Sequence, residues 1–423
     1  MSQATIKQKL SSKMGKDVIW TFSIQIAIML CSFAITKLLS NRLNIEDFGQ
    51  YNVIKRSVQV LSFVMLAGVG IALPRYIPLY QKNEQPRPIG TLLASSLIYI
   101  VGVTAIVCLI CLLFSNKVEL ILLGDSGNIL LLLIVLAYAF AMAMSQFAYA
   151  YYRGTGNYVW YNGVQLGIQL ALILPLIILP ALNTTNVFVS WLVVTVVLVC
   201  YIIGRKIRIK IDDIKNIGTE LKTIVKYSSG RLVADFFLFS LSAFPLIYIS
   251  NTYGLKPTAY FSVGLTFVAM VSPLFSFIGI ILLPYVAECI AKNEMKKANR
   301  VINNLAYLYI ITTIVITVII YAFTGFLTSL FFSDSYLNTI DISHIIILSI
   351  LPQAFYLLYR NPIDAISVVP YNTLIIGVCL VLMIISFCLS TTLTQFAWAY
   401  LGISILQGGL SWLTWVILQR RKI

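Results

Sequence analysis

Charge is scarce in this sequence: Asp, Glu, Lys and Arg make up 11% of 423 residues, against 59% hydrophobic residues. With a mean hydropathy of +0.91, that scarcity excludes an ordinary water-soluble globular fold and places the chain in lipid. Acids are scarcer than bases, with fifteen Asp and Glu against thirty Lys and Arg, and there is a single histidine, His344. Only Asp341 stands near that histidine at ligand spacing, so His344 reads as a satisfied interfacial side chain rather than a metal ligand. The seven cysteines are an odd number and all lie inside apolar runs or at their ends, which excludes a disulfide framework. Cys108-x-x-Cys111 sits in LIYIVGVTAIVCLICLLF with no second pair to complete a zinc site, and reads as inert and lipid-buried. No G-x-x-x-x-G-K-[ST] loop occurs, and Gly154-Thr155-Gly156 lacks the spacing of a dinucleotide loop, so nucleotide-driven chemistry is excluded. The longest polar connection, about 205 to 223, is too short to bury a catalytic core. Neither an enzyme activity nor a cofactor is expected.

What the chain has in abundance is long apolar runs. A bilayer core about 30 Å thick needs roughly 20 such residues per helix. Twelve runs satisfy this, near 18–39, 50–73, 89–113, 128–151, 158–180, 185–204, 224–249, 258–285, 301–325, 340–359, 363–388 and 395–418. The first follows Lys7, Lys9, Lys13 and Lys16 as a signal peptide would, but it is too long and no small-x-small cleavage site follows, so it is expected to be a span. With the N-terminus inside, 22 of the thirty basic residues fall in inside segments, and the positive-inside rule predicts that both termini are cytoplasmic. That distribution explains most of the +15 charge; RKIRIKIDDIK reads as a topology-setting loop, and no nucleic-acid partner is expected.

The sequence also repeats. A shift of 210 residues lays LSNRLNIEDFGQYNV over ISNTYGLKPTAYFSV without a gap, and pairs Ser62 with Ser272 and Pro74 with Pro284. Gln146-x-x-Tyr149-x-x-Tyr152-Arg153 recurs as Gln353-x-x-Tyr356-x-x-Tyr359-Arg360, and Tyr161-Asn162 as Tyr371-Asn372. A polar and aromatic pattern of this kind is hard to repeat by accident between apolar helices. Six spans separate equivalent points, so the halves share one orientation and are related by an axis along the membrane normal. The expected fold is an all-α integral membrane protein of about twelve helices, with six-helix lobes at 1–210 and 211–423 around a central cleft.

Charge inside the membrane is the sharpest functional signal, because a charged side chain at the bilayer centre costs about 2.5 to 3.5 kcal/mol on insertion scales. Arg231 and Asp235 are four apart on the seventh span, share a face and can pair. Asp235 lies roughly 16 Å along the helix from Ile224, near the midplane. Ser242 continues that face, and the 210-residue shift places Thr21, Gln25 and Ser32 beneath Arg231, Asp235 and Ser242. One reading sets these stripes across a hydrated cleft, with Arg231 attracting an anion and Asp235 binding a proton or cation; the other makes them a structural ion pair. Lys37, Lys55 and Arg56 either snorkel to the outer headgroups or point inward as an electropositive path, which would suit a phosphate-bearing substrate better than a cationic drug. The tyrosines at 149, 151, 152, 158 and 161 sit at a cytoplasmic boundary where an aromatic belt is expected, and Gln165 and Gln169 either line the cleft or bond between helices.

LLSNRLNIEDFGQYNVIKRSVQVLSFVMLAGVGIALPRYI resembles the first-to-second helix signature of polysaccharide transporters, in which a short acidic segment precedes Phe-Gly-x-Tyr and the second helix ends near Arg-Tyr. The Arg153-Gly154 turn and GLKPTAYFSVG are similar to that family's corresponding segments. The resemblance implies a Wzx-type flippase of the multidrug/oligosaccharidyl-lipid/polysaccharide (MOP) exporter superfamily, with a MATE-like fold. It implies a substrate, an undecaprenyl-pyrophosphate-linked oligosaccharide such as an O-antigen repeat unit, moved from the cytoplasmic to the outer leaflet of the bacterial inner membrane. Alternating access, with H⁺ or Na⁺ coupling, is the mechanism expected of such proteins. The lipid bilayer, and candidate polysaccharide polymerase and chain-length-regulator proteins, are the implied partners. Carried over by position, Arg231, Lys55, Arg56, Gln25 and, more loosely, Lys37 would line the cavity, with Asp235 as the coupling group. An ion-coupled multidrug exporter of the same superfamily is the alternative, and a membrane-embedded polymerase the third reading.

Overall fold

The computed structural model describes residues 13–82, 89–206, 217–292, 294–367 and 369–420, and among them all regular structure is helical. In lipid the backbone finds no water to bond, so an apolar segment closes its hydrogen bonds within itself as a helix. The helices are α1 (Lys13–Arg42), α2 (Ile45–Leu66), α3 (Val69–Lys82), α4 (Ile89–Leu113), α5 (Ser115–Leu123), α6 (Ile129–Gly154), α7 (Tyr158–Ile178) and α8 (Thr184–Lys206). They continue with α9 (Ile217–Tyr253), α10 (Leu255–Ala291), α11 (Met295–Ala322), α12 (Thr324–Phe331), α13 (Ile340–Ile347), α14 (Ile350–Ile366), α15 (Tyr371–Leu389) and α16 (Leu393–Arg420), with a 3₁₀ turn at Asp334–Thr339 before α13. Among the described residues eleven helical stretches are long and apolar enough to cross a membrane. The pair Asp334–Ile347 and Ile350–Ile366, bent by 42°, brings the number to twelve when counted as one broken span. On α4, Val101, Ile106, Leu109 and Ile110 are all exposed, as they would be on a face covered by lipid.

Beyond shifts of several residues at helix ends, two spans depart from their sequence outlines in form. The second begins at Ile45 rather than near 50 and is broken: α2 ends at Leu66, Ala67 and Gly68 take φ of 53° and 75°, and α3 restarts at Val69. Pro74 and Pro78 lie within α3, where each lacks the N–H that would bond the preceding turn. The tenth span runs on through Arg360 and Pro362 to Ile366, and the eleventh starts only at Tyr371. Its end is fixed by Asn372, whose Nδ2 donates to the Arg360 carbonyl at 2.8 Å and to the Asp364 carboxylate at 2.7 Å. A lone arginine reads as a loop in sequence, whereas here its backbone is part of a bonded helix end.

The chain gathers into two compact units, Met1–Leu43 with Ser57–Val233, and Asn44–Arg56 with Ala234–Ile423. In the first, α1 packs along α7, and α6 packs against α3 and α8. Arg42 donates to the carbonyls of Leu176, Leu179 and Pro180, satisfying the open C-terminal end of α7 with a cation. The start of α9 is held in this unit by the Arg75 guanidinium, 4.5 Å from the centre of the Tyr227 ring, and by the Tyr80 hydroxyl donating to Glu220.

In the second unit α14 is the central strut, packed on α10 and α16. A Cβ built on Gly408 of α16 would lie 2.5 Å from the Pro352 carbonyl oxygen of α14, so only glycine lets these helices approach so closely. The opening turns of α2 dock here too: Phe48 meets the edges of Phe332 and Tyr336 at 6.1 and 5.5 Å, and a Cβ on Gly49 would fall 2.1 Å from the Leu255 carbonyl oxygen. The Phe-Gly-x-Tyr signature is thereby a packing device, with Phe48 and Tyr51 fully buried.

Candidate functional site

Asn44 caps α2: its Oδ1 accepts from the Asp47 N–H at 2.7 Å, and its Nδ2 donates back to the Asp47 carboxylate at 2.9 Å. With the helix starting at Ile45, Lys55 and Arg56 lie ten and eleven residues in, roughly 15 to 17 Å along the axis. A span opening at 50 would place them near its head; the observed start carries them toward mid-helix. The Lys55 ammonium stands 5.6 Å over the Tyr51 ring, and its side chain is exposed. Arg56 is half-buried and interacts electrostatically with the Tyr51 and Tyr400 hydroxyls.

Tyr400, within electrostatic reach of Arg56, lines a polar cavity within the second unit. Its hydroxyl accepts from Gln353 Nε2 at 2.8 Å, and the same amide stands 3.2 Å from Ser349 Oγ and 3.5 Å from Ser404 Oγ. Gln353, Tyr356, Tyr400, Ser404, Gln407, Ser242 and Ser272 supply the polar lining of this cavity, of about 190 Å³.

The first unit holds a counterpart of about 240 Å³, lined by Gln146, Tyr149, Arg153, Tyr161 and Gln165 and by Gly68 at the helix break. Gln25 donates through Nε2 to Gln165 Oε1 at 2.9 Å, Asn162 donates to Thr21 Oγ1 at 2.9 Å, and Gln146 to Ser62 Oγ at 3.3 Å. Ser32 turns back to the Ile28 carbonyl of its own helix. The repeated Gln-x-x-Tyr pattern therefore lines a cavity in each unit. The copies differ in charge: Arg153 lines the first, whereas Arg360 is absent from the lining of the second.

The sequence-predicted site residues separate accordingly. Arg56 interacts electrostatically with Tyr400 of the second unit's cavity and Lys55 stands over Tyr51, while Gln25 is bonded beside the cavity of the first. Lys37 is exposed on α1. Arg231 and Asp235 fall in α9, and their side chains lie outside the described residues. Gln165 both lines its cavity and bonds another helix. Tyr149 and Tyr161 face the first cavity, and Tyr152 is buried and stacked on Trp160 at 5.9 Å, so these three are not a simple belt at a membrane surface. His344 stacks on Tyr321 at 3.9 Å with Nε2 3.2 Å from that residue's carbonyl oxygen, and all seven cysteines are free. Gln146, Arg153, Gln353, Tyr400 and Gln407 were not singled out as site residues by sequence reasoning. For Gln146, Arg153 and Gln353 the repeated motif was the available signal; for Tyr400 and Gln407, on the last helix, there was none.

No known protein family and no curated protein matches the sequence. Solved structures do match its fold. The lipid II flippase MurJ, in an inward closed conformation, superposes with a TM-score of 0.72 at 14% identity, over 96% of this chain and 90% of that one. A variant of the Vibrio cholerae MATE transporter VcmN gives 0.66 at 16% identity, over 96% and 97% of the two chains. A MOP superfamily transporter from Pyrococcus furiosus, for which a reversed polarity of the binding pocket suggests a different function, gives 0.64 at 14% identity, over 98% and 97%. The architecture is that of the MATE and MurJ transporters, a multi-pass membrane fold.

Proposed function

We propose that this chain is a flippase, moving a polyprenyl-pyrophosphate-linked oligosaccharide from the cytoplasmic to the outer leaflet of a bacterial cytoplasmic membrane by alternating access of its two repeated lobes, 1–210 and 211–423. One observation carries the reading: Lys55 and Arg56 are adjacent in the middle of a long apolar helix, and Arg56 lies within electrostatic reach of Tyr400, which lines an uncharged polar cavity. Adjacent cations within a span are costly, and a phosphate-bearing solute is the kind of partner that compensates them. The resemblance adds Arg231, Gln25 and Lys37 to this reading as further substrate-binding residues, with Asp235 as the coupling group. A pair of this sign repels organic cations, which favours an anionic lipid over a cationic drug.

The test is leaflet-resolved detection of the polyprenyl-linked oligosaccharide in cells with and without the gene. Loss of the gene leaves the intact repeat unit facing the cytoplasm, and the wild-type chain restores it to the outer leaflet. Replacing Lys55 and Arg56 together by alanine reduces the flipping rate tenfold or more, since each charge-assisted bond contributes about 1.5 to 3 kcal/mol. Arg231→Ala is a separate arm that reports on the α9 stripe. Equal flipping by the double variant would remove the pair from the site. No accumulation in the deletion, together with a gain of drug resistance on expression, would replace the reading with multidrug export.

A further inference from the structure

The second unit's cavity contains a group for which the cation pair gives no reason. Gln407 is only 7% exposed and lines the cavity, yet its carboxamide makes no hydrogen bond among the described residues. Its backbone carbonyl is occupied, accepting from Ser411 Oγ at 2.8 Å, and the neighbouring Gln353 amide is bonded to Tyr400. The Gln407 carboxamide offers two donor hydrogens and one acceptor oxygen, and these open onto the cavity rather than into packed core, where a ligand can meet them. The glycine after it, Gly408, presses α16 onto α14, so Gln407 is held on closely packed backbone rather than on a loop.

Size and charge narrow what can answer that amide. At about 190 Å³ the cavity lies below the roughly 300 Å³ at which whole drug-sized ligands are accommodated, so it suits one ring-sized group of a larger molecule. Its polar lining is amide and hydroxyl, with no side chain of formal charge. No lining side chain offers an ion a counter-charge, and an anion would be drawn instead to Arg56, while a neutral ring bearing several hydroxyls would find donors and acceptors in the lining. The first unit's copy of the motif carries Arg153 in its lining, so the uncharged character belongs to this copy alone of the two.

Resting on the transport reading above, we infer that this cavity is a subsite for one neutral sugar ring of the lipid-linked substrate. Gln407 reads its hydroxyls together with Tyr356 and Tyr400, and Arg56, with its sequence neighbour Lys55, takes the phosphate.

Photo-crosslinking of the full chain in glycan-producing cells tests this. Benzoylphenylalanine is placed at Leu357, which lines the cavity, or at Gln59, one turn beyond Lys55, and the adduct is identified by mass after irradiation. The expected result is a sugar-bearing adduct at both positions, with Gln407→Leu lowering the Leu357 yield at least fivefold and leaving the Gln59 yield within twofold. Gln407→Met, closer in shape, replaces the leucine variant if that variant fails to reach the membrane. A sugar-bearing adduct at Gln59 with only phospholipid or nothing at Leu357 overturns the subsite and leaves the transport reading standing. An unchanged Leu357 yield in the Gln407 variant removes Gln407 from it. Absence of sugar-bearing adducts at both positions overturns the subsite and the transport reading together.

Discussion

Ala67 is the one described residue other than glycine with a positive φ, at 53°, and it sits where a membrane helix breaks beside a cavity. For an L-residue with a Cβ the left-handed region costs roughly 1 to 2 kcal/mol, and the strain is confined to a single side chain. Ala67→Gly removes that strain and gives back part of it as extra freedom of the unfolded chain. The expected net gain is about 0.5 to 1 kcal/mol, read as a higher midpoint of thermal unfolding of the detergent-purified protein; a lower midpoint would show that the left-handed turn is not strained. At the same scale, Asn44 holds the N–H of Asp47 at 2.7 Å, so Asn44→Ala should lower stability by about 1 kcal/mol in the same assay, and an unchanged midpoint would mean that water replaces the cap.

Helix packing makes demands that single residues do not reveal. α14 and α16 approach until Gly408 leaves no space for a methyl group against the Pro352 carbonyl, and this contact sets the spacing of Gln353, Ser404 and Gln407 around the cavity. Gly408→Ala must push the backbones apart, at a cost of about 1 to 3 kcal/mol. The check is a lower unfolding midpoint together with a weaker Leu357 crosslink; the same substitution at Gly409, whose Cβ would meet nothing within 4 Å, should change neither. The α2–α3 break belongs to this scale too. It divides the long apolar stretch Ile45–Gln81 into two helices and brings Leu66, Gly68 and Gly70 into the first unit's cavity. Such an interruption is tolerated at membrane depth where it lines a cavity rather than faces lipid.

For the molecule as a whole, the distribution of basic residues predicts both ends in the cytoplasm. Fusions of alkaline phosphatase should be active after residue 125, in the α5–α6 connection, and inactive after residue 420, whereas a fluorescent protein at 420 should be bright. The opposite pattern would invert the orientation, and with it the direction of the proposed transport.

The sequence by itself determined that the chain is a helical membrane protein with about twelve spans, because hydrocarbon imposes one rule on every segment: apolar side chains outside and a self-satisfied backbone inside. It also supplied the repeat and the resemblance from which the transporter reading started. It placed Lys55 and Arg56 at a helix head, because an apolar window begins only after the last acid, whereas Asn44 and Asp47 start the helix earlier by capping it. Tertiary structure alone decided that a repeated Gln-x-x-Tyr lines a cavity in each unit, that one cavity carries Arg153 while the other is uncharged, and that Gln407 completes the latter. The physical reason is that a cavity is made by residues from several helices far apart in the chain. Hydropathy is a property of each helix alone, while Tyr400 and Gln407 come to share a cavity with Gln353 only when α16 packs against α14 at Gly408.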